Sequence, residues 1–175
     1  MPADFYALAA RAGKKKGAKT IIDVSGEALK EALKEGVYLI KPNIREFREL
    51  VGEDIKEESQ IKAEAQKMVK SGRCKVLVIA LGAAGALMVS EEISEHILPP
   101  TVPIVSKVGA GDSMVAGIVL SLARGKPLRD SLLFGVAAGT AAVMTPGTEL
   151  CRREDAERLY ESMIAKGMNT RRITP

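Results

Sequence analysis

Tryptophan is absent from this 175-residue chain, histidine occurs once, cysteine twice, and aromatic residues make up only 3%. A single imidazole, His96, cannot supply a two-histidine zinc motif, so zinc catalysis is set aside. Two cysteines, Cys74 and Cys151, can build neither a disulfide framework nor a four-thiolate metal site. They read as free thiols in a reducing compartment, and a cytoplasmic location is expected. Scarce aromatics, with basic residues alternating with acidic ones along helical stretches, argue against nucleic acid despite a net charge of +4. Long hydrophobic runs are missing as well. Val76 to Ser90 is free of charge but falls short of the ~20 residues that span a bilayer, so no membrane span is expected. Asp4 sits within the first apolar turns and Lys14, Lys15 and Lys16 follow them, the reverse of a secretory signal.

What is present is the composition of an ordinary globular protein, 46% apolar and 27% charged, with 26 Lys and Arg against 22 Asp and Glu. That mild positive excess suits a phosphate-bearing small molecule. Apolar spacing predicts helices over Ala3 to Lys16, Glu27 to Glu35, Ile44 to Val51 and Ser59 to Ser71. Between them, β-branched runs predict strands at Thr20 to Val24, Val37 to Ile40 and Lys75 to Ala80. After a glycine-bearing turn, Gly82 to Gly85, antiparallel strands are expected at Ala86 to Ser90 and Glu95 to Leu98. An extended stretch then runs to Val108, and helices are predicted over Ser113 to Arg124, Leu128 to Thr145 and Arg153 to Lys166. Strands alternating with helices imply βαβ units and a mostly parallel sheet in an α/β fold. No internal repeat or linker marks a boundary, and the tail from Met168 to Pro175 carries no usable pattern.

Two motifs carry chemistry. Gly109-Ala110-Gly111-Asp112-Ser113 lies at a strand-to-helix junction, where unblocked amides and the positive end of a helix dipole form an anion site. Asp112 in the first helical turn is placed to accept a proton from an attacking hydroxyl; alternatively, the glycines serve a tight turn and Asp112 complements the dipole. Asn43 and Glu46, three residues apart on one helical face, could position Mg²⁺ through its waters, although the same pair suits a capping box. His96 and the Lys14 to Lys16 run read as surface features. No GxxxxGK[ST] occurs, Met114 breaks any GxGxxG after Gly109, and a GDSL-type hydrolase would need a histidine downstream of Ser113.

Taken in order, Lys41-Pro42-Asn43-Ile44-Arg45-Glu46, Ala80 to Ala86 and Val108-Gly109-Ala110-Gly111-Asp112-Ser113 resemble the C-terminal half of PfkB-family, ribokinase-like sugar kinases. Phe134 to Ala142 followed by Pro146 to Cys151 is most similar to the branch of minor bacterial ATP-dependent 6-phosphofructokinases. The resemblance implies a three-layer αβα fold, N-terminally truncated, with residues 1–167 forming the C-terminal part of the kinase domain and 168–175 a tail. It implies ATP-dependent phosphorylation of fructose 6-phosphate, with tagatose 6-phosphate or fructose 1-phosphate as alternative acceptors and a non-catalytic nucleotide-binding fragment as the rival reading. Asp112 matches the family's catalytic base, and the amides of Gly109, Ala110 and Gly111 its anion hole. Asn43 and Glu46 match the NxxE motif that helps place Mg²⁺, and Lys41 lies where the family contacts nucleotide phosphates. Gly82 and Gly85 match the turn beside the nucleotide, Val136 and Gly139 positions near the adenine. Ser106, Val108, Ala142 and Gly147 match a site for a monovalent cation such as K⁺. A homodimer is implied for the full-length protein. Ala80 replaces a usual Ser or Thr, so one nucleotide hydrogen bond is expected to be missing, and Thr145 and Glu149 replace Asn and Arg beside the cation loop.

Overall fold

The computed structural model describes residue 2 and residues 4–52, 55–165 and 170–172. Its elements run α1 (Phe5–Lys15), β1 (Ile21–Ile22), α2 (Gly26–Lys34), β2 (Val37–Ile40), α3 (Ile44–Val51), α4 (Glu58–Lys70), β3 (Cys74–Ala80), β4 (Ala86–Ser90) and β5 (Ser94–Ile97). Then come α5 (Ala110–Ala123), α6 (Leu128–Ala142), α7 (Arg153–Ala165) and β6 (Thr170–Arg172). The strands neighbour one another in chain order in one six-stranded sheet. Helical crossovers make β1–β2 and β2–β3 parallel, with Ile22 opposite Ile40 and Ile40 opposite Leu77. The links from β3 to β4 and from β4 to β5 are too short for a crossover, so those neighbours run antiparallel. Tertiary contacts divide the chain into two units: Met1–Gly82 with Leu87–Glu95 and Arg172–Pro175, and Ala83–Ala86 with His96–Arg171.

The first unit is built on β1 to β3. Its core gathers Leu29 and Leu33 from α2, Phe47 from α3, Ala65, Met68 and Val69 from α4 and Leu77 and Ile79 from β3. Phe47 and Leu77 are fully excluded from water. Burying such a side chain stabilises the fold by about 1.5–3 kcal/mol each. β3 reads as a nearly continuous apolar run because it is buried along most of its length, as parallel strands covered on both faces are. Outside this core, Arg11 of α1 pairs with Glu35 and the Lys14 ammonium bonds the Glu35 carbonyl at 3.1 Å, so this end of α1 is tied down as well as solvated.

The second unit is helical. From Ser131 to Ala142 every residue of α6 except Phe134 is buried, with α5 packed against it on one side and α7 on another. A helix apolar all round has to be enclosed in this way, and small residues allow the enclosure to be close. A β-carbon on Gly117 of α5 would lie 3.0 Å from that of Ala138, and one on Gly135 would lie 2.9 Å from the Met114 carbonyl oxygen. Phe134 meets Tyr160 of α7 edge to face at 5.4 Å.

Several element ends differ from the expectations. β1 shrinks to Ile21–Ile22, although the Thr20 carbonyl just before it still accepts from the Tyr38 and Leu39 amides of β2. α5 starts at Ala110, three residues before the expected Ser113, because Gly109 adopts a left-handed conformation and opens the helix there. α6 stops at Ala142 rather than Thr145, since the Thr145 hydroxyl folds back onto the Ala142 carbonyl at 2.8 Å. The stretch before Val108 forms no strand; its Val105 and Ser106 amides both bond the Val143 carbonyl. β6 forms where no pattern was legible. The expected helix limits at Ala3 and Lys166, and the boundary at 167/168, lie outside the described residues.

Candidate active site

In the second unit the Gly109 to Asp112 turn is the start of α5. Gly109 has φ 77° and ψ −3°, and the amide of Ser113 makes the first helical bond back to its carbonyl at 2.9 Å. The amides of Gly109, Ala110, Gly111 and Asp112 therefore precede the helical ladder, and such amides are the donors that anions seek. Nothing lies within 4 Å of a β-carbon built on Gly109, so the space beside that residue is open. Asp112 is exposed in the same turn. A carboxylate in the same turn as amides that precede the helical ladder can take a proton while such amides hold developing negative charge.

The turn is held from behind and from the side. Gly139 faces the Ala110 carbonyl and Met114, and Val136, one turn earlier on α6, is 2% exposed. Both residues are buried, and Gly139 packs against the opening turn of α5. Ser106 gives its hydroxyl to the Gly147 carbonyl at 2.9 Å and accepts from the Val108 amide at 3.2 Å. Ser106, Val108 and Gly147 are thus brought together. The Ala142 carbonyl receives both the hydroxyl and the amide of Thr145. Gly85 has φ 89° and passes so near the Ile97 carbonyl that any β-carbon would clash. His96, half-buried rather than free at the surface, reaches the Ala84 carbonyl at 2.7 Å across this turn.

In the first unit the expected residues sit at the carboxyl ends of the parallel strands, where open α/β sheets hold ligands. Lys41 follows β2 and is 7% exposed, with its ammonium 3.5 Å from the carboxylate of Asp23, which follows β1. The Ala80 amide bonds the Pro42 carbonyl at 2.9 Å and Asn43 bridges to Ala80, lacing this segment to the end of β3. Gly82 begins the next turn with φ 62° and open space beside it. Asn43 caps α3: its Oδ1 accepts from the Arg45 and Glu46 amides at 3.0 Å, and Glu46 Oε2 accepts from the Asn43 amide at 2.8 Å. The NxxE pair is therefore a complete capping box. A carboxylate offers about four acceptor sites, so capping still leaves Glu46 able to hold a metal-bound water. Among the described residues no three His, Cys, Asp or Glu side chains form a metal cluster. Asp23 is the residue that motif reading missed; its signal is its place one step past a strand end.

The thiols differ. Burial pushes the Cys74 thiol from 9.0 up to about 12, while Cys151 is only half-buried.

The family model for pfkB family carbohydrate kinases matches residues 1–155. The chain belongs to that family. ATP-dependent 6-phosphofructokinase isozyme 2 of Escherichia coli (strain K12) is 43% identical over 85% of this chain and 48% of its own length. The 1-phosphofructokinase of Borreliella burgdorferi is 34% identical over 81% of this chain and 45% of its own. Phosphofructokinase-2 from Escherichia coli in complex with potassium superposes with a TM-score of 0.89 at 39% identity, covering 94% of this chain and 53% of that one. Another solved form of that enzyme is tetrameric and inhibited. The ribokinase-like fold of this family member is thereby established, and the chain spans about half the length of the curated relatives it matches. No helix among the described residues is long and apolar enough to cross a membrane.

Proposed function

We propose that this chain carries the phosphoryl-transfer half of an ATP-dependent sugar-phosphate kinase, with fructose 6-phosphate as acceptor and fructose 1,6-bisphosphate and ADP as products. The observation that carries the reading is the open Gly109 to Asp112 turn, four unladdered amides around an exposed carboxylate. Asp112 takes the proton from the acceptor's primary hydroxyl as its oxygen bonds to the γ-phosphorus, and the bond from that phosphorus to the ADP oxygen breaks. The amides of Gly109, Ala110 and Gly111 stabilise the charge on the transferring group, which is most of what phosphoryl transfer asks of a protein.

Lys41 meets nucleotide phosphates, and Gly82 and Gly85 shape the turn beside them. Mg²⁺, when bound, neutralises phosphate charge. Glu46, with one carboxylate oxygen committed to the cap, and Asn43 would hold it through water. The loop cluster of Ser106, Val108 and Gly147, with Ala142 at the end of α6, is the candidate site for a monovalent cation, since Val108, Ala142 and Gly147 offer only backbone carbonyls, the ligands K⁺ takes. A cytoplasmic homodimer in the full-length protein completes the reading. Fructose 1-phosphate is the second acceptor to test, because a 1-phosphofructokinase is among the relatives.

Purified chain, alone and mixed with the part of a relative that it does not match, is assayed for ADP release with ATP, Mg²⁺ and each sugar phosphate. Alone it should turn over below about 1 s⁻¹, the low end of ordinary enzymes, because positioning of the acceptor, worth about 7–11 kcal/mol, needs residues beyond this half. The mixture should show ADP release that depends on fructose 6-phosphate. Release independent of any sugar phosphate would overturn the proposal.

A further inference from the structure

Asp23 and Lys41 stand one step beyond the last paired residues of two adjacent parallel strands, Ile22 opposite Ile40. That register carries the two side chains side by side out of the carboxyl edge of the sheet. The Lys41 side chain is 8% exposed, whereas that of Asp23 is 34% exposed, and the ammonium lies 3.5 Å from Asp23 Oδ1. A lysine so deeply withdrawn from water loses hydration that a surface lysine keeps, and a facing carboxylate offsets the loss. Ordinary surface pairs on this chain, such as Lys30 with Glu27, have both partners well exposed and add little. The Asp23–Lys41 pair is different in kind. Its cation is enclosed, and its place is the strand edge at which α/β sheets take ligands.

We propose that Asp23 is a positioning residue for phosphate recognition: from the end of β1 it holds the Lys41 ammonium where a nucleotide phosphate meets it. This rests on the nucleotide-binding reading above. Asp23 itself, an anion, does not touch the phosphates. It acts through Lys41, and its removal frees a long, flexible side chain to turn toward water.

The chain, its Asp23→Asn and Lys41→Met variants and the double variant are titrated with MgATP and, separately, with adenosine, which has no phosphate. Asp23→Asn should bind MgATP roughly tenfold more weakly, the scale of one hydrogen bond to a charged group, while adenosine binding stays within twofold. Lys41→Met should lose at least as much, and adding Asp23→Asn to it should cost nothing further, because a residue that acts through another is silent once that other is gone. Asp23→Glu, which keeps the charge, should recover most of the affinity. The proposal is overturned if Asp23→Asn binds MgATP as tightly as the parent, if it weakens both ligands alike, or if the two losses add. Should Asp23→Asn not fold, Asp23→Glu decides, since a loss shared equally by MgATP and adenosine overturns it. A parent chain with no affinity for MgATP would overturn the nucleotide reading itself, a result distinct from a parent that binds and a variant that is unchanged.

Discussion

A β-carbon on Gly139 of α6 would stand 2.9 Å from the carbonyl oxygen of Ala110, the first residue of α5. The small side of one helix is thus pressed against the opening turn of the next, two residues from Asp112. Gly139→Ala should push that turn outward. The expected cost is about 1–3 kcal/mol of stability, as for overpacking elsewhere, together with a loss of transfer activity in the complemented assay. Urea unfolding and ADP release check the two parts; unchanged values in both would show that the contact yields without effect.

Asp112 is exposed, so replacing it disturbs little packing. Asp112→Asn should leave MgATP affinity and the unfolding midpoint unchanged while turnover in the complemented preparation falls by roughly 10²–10⁴, the range of general-base catalysis. Turnover within threefold of the parent would remove Asp112 from the role of base.

Glu46 has two separable duties. As the return arm of the capping box, its loss in Glu46→Ala should cost ~1 kcal/mol, read as a lower melting temperature, whereas Glu46→Gln keeps an acceptor for the Asn43 amide. As a holder of metal-bound water, Glu46→Gln should raise the Mg²⁺ concentration needed for half-maximal turnover. A lower melting temperature in Glu46→Ala with unchanged Mg²⁺ dependence in Glu46→Gln assigns the motif to capping alone.

The two thiols should separate cleanly by chemistry. Thiolates react and thiols do not, so at pH 8 a disulfide reagent should titrate Cys151 in the folded chain and both cysteines only after unfolding. Because burial raises the Cys74 thiol to about 12 from 9.0, its contribution to stability is complete below pH 9. It is lost as the pH climbs from about 9 toward 12, where the unfolded chain ionises first. Cys74→Ala should flatten that alkaline limb; two fast-reacting thiols in the folded chain would contradict the placement of Cys74.

Strand and helix identity was legible where local signals agreed. β2 and α3 fall at their expected limits, because a β-branched apolar run between glycine and proline, and an Asn cap three residues before Glu46, each admit one local solution. Limits failed where a single side chain or backbone angle decided them, as with the Thr145 hydroxyl that ends α6 and the left-handed Gly109 that starts α5 early. Of the site, the Gly109 to Asp112 turn and the cap at Asn43 were readable because their residues are neighbours in the chain. The Asp23–Lys41 pair was not, since it depends on which strands lie side by side. What lies beside Gly139 was not legible for the same reason: its place along α6 says it is small, and only packing shows that the opening turn of α5 fills the space beside it.

Gly109 has ample room around it and yet a backbone angle that side chains resist. Substitution at this position is therefore governed by handedness and not by size. In a saturation library, alanine should fare little better than leucine there, and asparagine, which tolerates the left-handed region, should rank above both. A tolerance map built only on available volume would mark the residue as permissive, at the very point where the chain turns into α5.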